Sequence, residues 1–136
     1  MFGRKKKDKL HSHIDTLIGI KTHIIGDINF SGGLRIDGHV KGNILASEDE
    51  QSTLVLSDAG SVEGKIQVNN VIINGTVKGP IHAKEYLELQ PKSEVFGDVH
   101  YGSIEIHLGA SVEGKMIHQD KPEPDKLVKL ISATPD

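Results

Sequence analysis

The stretch Ser61-Val62-Glu63-Gly64-Lys65 recurs without change as Ser111-Val112-Glu113-Gly114-Lys115. Reduced to its chemistry, it is an apolar residue, any residue, glycine, any residue and a second apolar residue, and this motif occurs six times. Its central glycines, at intervals of 16, 22, 15, 18 and 17 residues, are Gly26, Gly42, Gly64, Gly79, Gly97 and Gly114. Such self-similarity is typical of a solenoid, in which each repeat stacks on its neighbours.

Apolar residues at alternate positions flank each motif, two before it and one after it. With the two apolar residues of the motif, they give five inward slots in each repeat. The upstream pairs are Ile18/Ile20, Leu34/Ile36, Leu54/Leu56, Val71/Ile73, Leu87/Leu89 and Ile104/Ile106, and the downstream residues are Phe30, Ala46, Val68, Ala83, Tyr101 and His118. Alternation with a period of two predicts short β-strands with one buried face.

The sequence therefore predicts an all-β fold, a right-handed parallel β-helix of about six coils with flexible N- and C-terminal tails. A left-handed hexapeptide helix would need apolar residues six apart, whereas the two slots within the motif are always four apart. Six coils at about 4.8 Å per rung would give a rod about 29 Å long. Glycine at the centre of each coil either supplies backbone freedom at a corner or allows neighbouring coils to approach closely.

The composition excludes several classes of protein. The chain has 136 residues, 15 of them glycine, with no cysteine, no tryptophan and 4% aromatic residues. That length suits one domain, and few aromatic residues suit the narrow interior of a β-helix. The lack of cysteine excludes disulfide scaffolds, thiolate zinc sites and cysteine catalysis. We expect no membrane-spanning helix and no signal peptide, because no apolar run is long enough.

The net charge of −3 conceals three segments of different charge. Residues 1–10 carry +4, residues 11–118 carry −6 and residues 119–136 carry −1. Pro122 and Pro124 cannot join a sheet ladder, which indicates a boundary near residue 118. We therefore predict a basic, disordered arm over residues 1–16, the β-helix over 17–118 and a Pro-containing, disordered tail over 119–136.

The N-terminal arm combines an apolar start with a basic cluster, which anionic membrane surfaces attract. A single arm would bind weakly, but a filament that presents many arms would bind by avidity. The predicted membrane-binding residues are Met1, Phe2, Arg4, Lys5, Lys6 and Lys7. The alternative is a solubilising tail or a non-specific nucleic-acid arm. Against nucleic acid, the body is acidic and no aromatic residue is interleaved with the lysines.

A β-helix has two open ends with unpaired strand edges, and this sequence offers little to cover them. An uncapped end is a template for another end, so stacking would extend the rod into a filament. The residues predicted to form the polymer contacts are Ile18, Ile20, Ile24, Ile28, Phe30, Ile104, Ile106, Val112 and Met116. In the alternative, residues 119–131 fold back as a cap and the protein is a monomer.

The eight histidines raise the question of a metal or catalytic site. His11-Ser12-His13 could chelate a metal, but its spacing is common. His82 and His100 hold equivalent outward positions, which predicts a stack about 5 Å apart, more simply a solvated ladder than a metal site. We find no nucleophile elbow and no phosphate-binding glycine loop, and so expect no enzyme activity, cofactor or metal. The alternative function is a small β-helical enzyme or carbohydrate-binding module.

Three parts of the sequence together resemble the bactofilins, a family of bacterial cytoskeletal proteins. They are the Met1-Phe2 start with its basic cluster, the segment Thr22–Ile28, and the serial segments Gly38–Ile44, Gly60–Ile66 and Gly75–Ile81. The resemblance covers about residues 1–118. Family members often carry a phenylalanine near the C-terminal end of the rod, whereas the last coil here has Met116.

The resemblance implies a right-handed β-helix and non-polar filaments that form end to end without a nucleotide. It also implies binding to the inner face of the cytoplasmic membrane and a scaffolding role in cell shape. The implied partners are other copies of the chain, anionic lipids and cell-wall synthesis or remodelling proteins, and no nucleic acid.

Overall fold

Every strand pairing in the described part of the chain is parallel. The computed structural model describes residues 13–47 and 50–120, and these contain strands but no helix. No helix capable of spanning a membrane therefore occurs in these two ranges. The strands are β1 (Thr16–Ile18), β2 (His23–Ile25), β3 (Ile28–Phe30), β4 (Gly32–Ile36), β5 (His39–Lys41), β6 (Ile44–Ala46), β7 (Ser52–Leu56), β8 (Ser61–Glu63), β9 (Ile66–Ile73), β10 (Thr76–Lys78), β11 (Ile81–Leu89), β12 (Glu94–Phe96), β13 (Val99–Ile106), β14 (Ser111–Glu113) and β15 (Met116–His118).

The strands wind into six coils of three segments each, which confirms the predicted parallel β-solenoid. Coil one is β1, β2 and β3, and coil two is β4, β5 and β6. From coil three onward the third segment of one coil runs directly into the first segment of the next, so that β9, β11 and β13 each serve two coils. A register shift between Ala83 and Tyr86 marks this corner in β11. The hand of the coil stays a prediction from the slot spacing.

The predicted slots lie above one another along the rod. In the six-stranded sheet, the central apolar residues are in register from Ile24 through Val62 to Val112. In the other sheet, Leu56 aligns with Ile36 below it and Ile73 above it, and all three side chains are fully buried. Each such side chain contributes about 1.5–3 kcal/mol of transfer free energy on burial. One apolar core therefore runs through the middle of the rod.

One predicted slot is wrong. The sequence pattern pairs Ile18 with Ile20, whereas the structure aligns Thr16 and Ile18 with the pair above them in β4. Ile20 is 60% exposed because it lies in a turn closed by a hydrogen bond from the Thr22 N–H to the Gly19 carbonyl, 3.0 Å long. The same type of turn occurs in other coils. From the second residue of the upstream pair to the first apolar residue of the motif, the distance is six residues at corners that contain this turn and four residues at the tighter corners. In coil one, Ile20 lies four residues before Ile24 and Ile18 lies six residues before it, so the sequence pattern fits both.

Both explanations offered for the central glycines hold at Gly64. Its φ is +152°, which L side chains rarely adopt, and a Cβ there would overlap the carbonyl of Gly42 in the coil below. A similar overlap with the preceding central glycine exists at Gly42, Gly79, Gly97 and Gly114. Glycine is therefore required where successive backbones stack most closely.

Candidate functional site: the two ends of the rod

Exposed apolar side chains are concentrated in the first and last coils. Coil one carries Leu17, Ile20 and Ile25, and coil six carries Ile106, Leu108 and Met116. Of the seven large apolar side chains exposed within residues 13–47 and 50–120, only Phe96 lies in another coil. This distribution separates both ends of the rod from its middle, where the apolar residues are covered.

The C-terminal end leaves two inward slots open. Ile106 is 50% exposed and Met116 is 42% exposed, whereas Leu89 and Val99, their partners in the coil below, are fully buried. Their positions differ in that, within the described residues, no further coil covers the last one. In the part of the chain that the structure describes, β14 and β15 each pair with one strand only, so their outer edges are available. Ile104 and Val112, also predicted as contact residues, are partly buried beside them.

The N-terminal end is more closed. Ile18 is only 7% exposed, and the predicted contact residues Ile24, Ile28 and Phe30 are partly buried against the core. Asp15 lies beside Gly33 in the next coil, where its N–H donates to the Gly33 carbonyl and its carboxylate accepts from the Gly33 N–H, both at 2.9 Å. The structure thus divides the predicted contact residues between two separate ends. Ile20 belongs to neither set of inward slots.

The predicted histidine stack is confirmed. The rings of His82 and His100 lie 4.2 Å apart between centroids and 8° from parallel. Burial lowers the pKa of His82, and the nearby charges of His100 and Lys65 lower it further. The imidazole of His82 is therefore held towards its neutral form, which suits stacking on a second imidazole. A second stack, His23 on His39 at 4.9 Å, was missed, although both residues precede the first apolar residue of a motif.

A polar cluster on the outer face of coils five and six was also missed. The Glu88 carboxylate, 2% exposed, accepts hydrogen bonds from the Tyr86 hydroxyl at 2.8 Å and from the Gln90 amide at 3.1 Å. His107 Nε2 lies 3.1 Å from Glu88 and 3.0 Å from Glu105. Burial raises the pKa of the Tyr86 phenol, and its hydrogen bond to Glu88 raises it further. The only signal in the sequence is the alternation of these polar residues with the inward leucines and isoleucines.

A shallow groove of about 350 Å³ lies over the outer face near His82. Its polar lining is Lys65, Gln67, Asn69, His82, Lys84 and Gln119. None of the side chains that line this groove is a hydroxyl or thiol nucleophile or a carboxylate. The polar groups over this groove are therefore amides, amines and one imidazole.

A family model described as "Bactofilin: Polymer-forming cytoskeletal" matches residues 16–117. The chain belongs to the bactofilin family. It is thus a member of a family of polymer-forming cytoskeletal proteins, and the match runs from β1 into β15. The predicted membrane-binding residues, Met1 to Lys7, lie outside both the match and the described residues.

Two bactofilins of Myxococcus xanthus (strain DK1622) are similar to this chain. Bactofilin BacO is 37% identical over 102 residues, which are 75% of this chain and 78% of BacO. Bactofilin BacP is 32% identical over 117 residues, which are 85% of this chain and 47% of BacP. The chain therefore spans most of BacO and about half the length of BacP. No solved structure matched the chain.

Proposed function

We propose that this bactofilin assembles end to end into filaments on the inner face of the cytoplasmic membrane and positions cell-wall or morphogenesis proteins there. The observation that carries the proposal is the concentration of exposed apolar side chains in the two terminal coils. A surface that stays apolar at both ends of a rod favours contact with further copies at both ends.

A second copy in contact with the C-terminal end would cover its open slots and strand edges. The open slots at Ile106 and Met116 would be covered as Leu89 and Val99 are covered within one chain. The outer edges of β14 and β15 would gain the backbone partners that inner strands already have. Both kinds of contact are made by apolar side chains and backbone groups. No bound phosphate is needed, so we propose assembly without a nucleotide.

The nucleotide independence can be tested by sedimentation. Purified full-length chain should pellet at high speed, and the pelleted fraction should not change when ATP or GTP is added. Electron micrographs of the pellet distinguish ordered filaments from amorphous aggregate. A pelleted fraction that rises severalfold with either nucleotide would contradict the proposed mode of assembly.

Membrane attachment is assigned to the N-terminal arm, through Met1, Phe2 and the basic cluster Arg4 to Lys7. Each basic group near an anionic surface contributes about 1 kcal/mol. One arm therefore binds reversibly, and a filament multiplies the arms on a single surface. Because the remainder of the chain is acidic, the arm supplies the attraction to the membrane that the rod lacks.

Deletion of residues 2–7 should abolish flotation with anionic vesicles while polymerisation persists. The loss of four basic groups corresponds to about 4 kcal/mol, or nearly a thousandfold, for each arm. Flotation of vesicles containing phosphatidylglycerol measures binding, because flotation separates bound filaments from filaments that pellet alone. Vesicles of phosphatidylcholine provide the matched control for charge. Equal flotation of the deleted and full-length chains would refute the role of the arm.

A further inference from the structure

We propose that Glu88, Glu105 and His107 form a binding site for one divalent metal ion of the zinc type on the outer face of coils five and six. The site concerns the side of the rod and does not depend on whether or how the chain polymerises. The sequence pattern singled out none of these three residues as a candidate ligand.

The strand register brings the three side chains together. Glu88 in β11 and Glu105 in β13 are direct Cα partners in neighbouring parallel strands. His107 follows Glu105 by two residues, so its side chain leaves the same face of the sheet. Its backbone N–H donates to the carbonyl of Leu89 at 2.9 Å, which continues the ladder beyond β13 and holds the imidazole beside the two carboxylates.

The distances are close to those of a tetrahedral site. His107 Nε2 is 3.1 Å from Glu88 Oε2 and 3.0 Å from Glu105 Oε2, and the three ligand atoms all lie within 4.8 Å of one another. Zinc bonds of about 2.1 Å to nitrogen and oxygen place tetrahedral ligands about 3.4 Å apart. To admit the ion, the His107 imidazole would need to move only a few tenths of an ångström away from each carboxylate.

The chemistry of the three ligands also suits such an ion. One neutral imidazole nitrogen and two carboxylates are common zinc ligands, and they leave a fourth position for water. A single proton on Nε2 cannot point at both carboxylates at once, whereas a metal ion can bond to all three groups. His107 and Glu105, at 34% and 46% side-chain exposure, face solvent and leave a route of entry.

Glu88 is positioned in advance as a ligand. Its carboxylate is 2% exposed, and the Tyr86 hydroxyl and Gln90 amide hold it in one orientation. Groups that hydrogen-bond a ligand in this way fix its geometry and typically change metal affinity by about 10–100-fold when removed. Tyr86 and Gln90 are thus positioning residues for the metal ligand.

Equilibrium dialysis of the untagged full-length chain against zinc chloride tests the site, with bound zinc measured by atomic absorption. We expect one zinc per chain that is lost, or weakened at least about tenfold, in both Glu105→Gln and His107→Gln. Glu105 is the safer variant for folding because its side chain is exposed, and circular dichroism verifies that each variant keeps its strands. His82→Gln removes a stacked histidine elsewhere and should leave this zinc bound.

Three outcomes would overturn the proposal. The wild-type chain could bind no zinc at micromolar concentrations, which would leave His107 as a structural hydrogen-bond partner of the two carboxylates. Glu105→Gln and His107→Gln could both bind as much zinc as the wild type with unchanged affinity. The zinc could instead be lost in His82→Gln alone, which would assign it to the histidine stack.

Discussion

Met116→Arg should shorten the filaments of the full-length chain to dimers while each rod stays folded. Met116 occupies the inward slot of the last coil and is 42% exposed, and Val99 beneath it is fully buried. An arginine there would place a charge in the proposed contact, and the removal of an unpaired charge from water costs several kcal/mol. Its methylene stem can still cover Val99, so the fold of the rod should persist.

Ser111→Arg provides the matched control. Ser111 lies in β14 of the same coil, is exposed and points away from the core. An arginine at this position therefore adds the same charge outside the inward slots. Filaments of Ser111→Arg should be as long as those of the wild type in electron micrographs. Wild-type length in Met116→Arg, with an unchanged sedimentation coefficient, would remove this end from the polymer contact.

Ile24→Arg at the other end completes the test and reports the polarity of the filament. Ile24 is partly buried in coil one, at the slot below Val40. If like ends meet, each single variant keeps one intact contact and sediments as a dimer, and the double variant with Met116→Arg is a monomer. If unlike ends meet, each single variant destroys the only contact and is already monomeric. The resemblance to non-polar family filaments predicts the dimers.

Gly64→Ala should strongly destabilise the middle of the rod. At φ of +152°, alanine is strained by on the order of 1–3 kcal/mol. The new Cβ would also overlap the Gly42 carbonyl, and overpacking of that kind costs about 1–3 kcal/mol or more. Together, about 2–6 kcal/mol is a large share of the stability of a small domain. Urea denaturation followed by circular dichroism measures the loss.

The two causes can be separated with other glycines of the chain. Gly26 has a φ of +135° but nothing within 4 Å of its Cβ position, so Gly26→Ala measures the backbone strain alone. At Gly114 a Cβ would overlap the carbonyl of Gly97, but φ lies outside the strained range. Gly114→Ala therefore measures the overlap alone. Gly19 has neither and serves as the control. All variants are compared in the Met116→Arg background, which keeps the chain out of filaments.

We expect the cost of Gly64→Ala to exceed that of Gly26→Ala and of Gly114→Ala, with Gly19→Ala near zero. A Gly64→Ala chain as stable as the Gly19→Ala chain would contradict the close stacking of backbones at the central glycines. A large loss in Gly26→Ala but none in Gly114→Ala would assign the requirement to φ alone.

The inward-facing residues were enough to predict the fold, because burial of one face of each strand strongly constrains its register. A slip of one residue would turn every inward side chain to solvent, so alternation identified the slots from Leu34 to Ile106. It failed at Ile20 because corners of two lengths occur, and in coil one both put an isoleucine in the slot. Only the turn from Gly19 to Thr22 decides between them.

The outward half was predictable only where one residue type repeats at the same place in successive coils. His82 and His100 each follow the second apolar residue of a motif, so their stacking followed from the motif alone. The contact of His107 with Glu88 depends on how an 18-residue coil aligns with a 17-residue coil, and on side chains that follow no period. The sequence around Glu88 gives no sign that this outward carboxylate is buried.

Electron microscopy of the purified full-length chain, without nucleotide, shows directly whether the rods assemble end to end. We expect filaments about one rod wide that lengthen by whole rods, with dimers in their place for Met116→Arg. A uniform population of monomers at micromolar concentration, unchanged by the salt concentration, would contradict it.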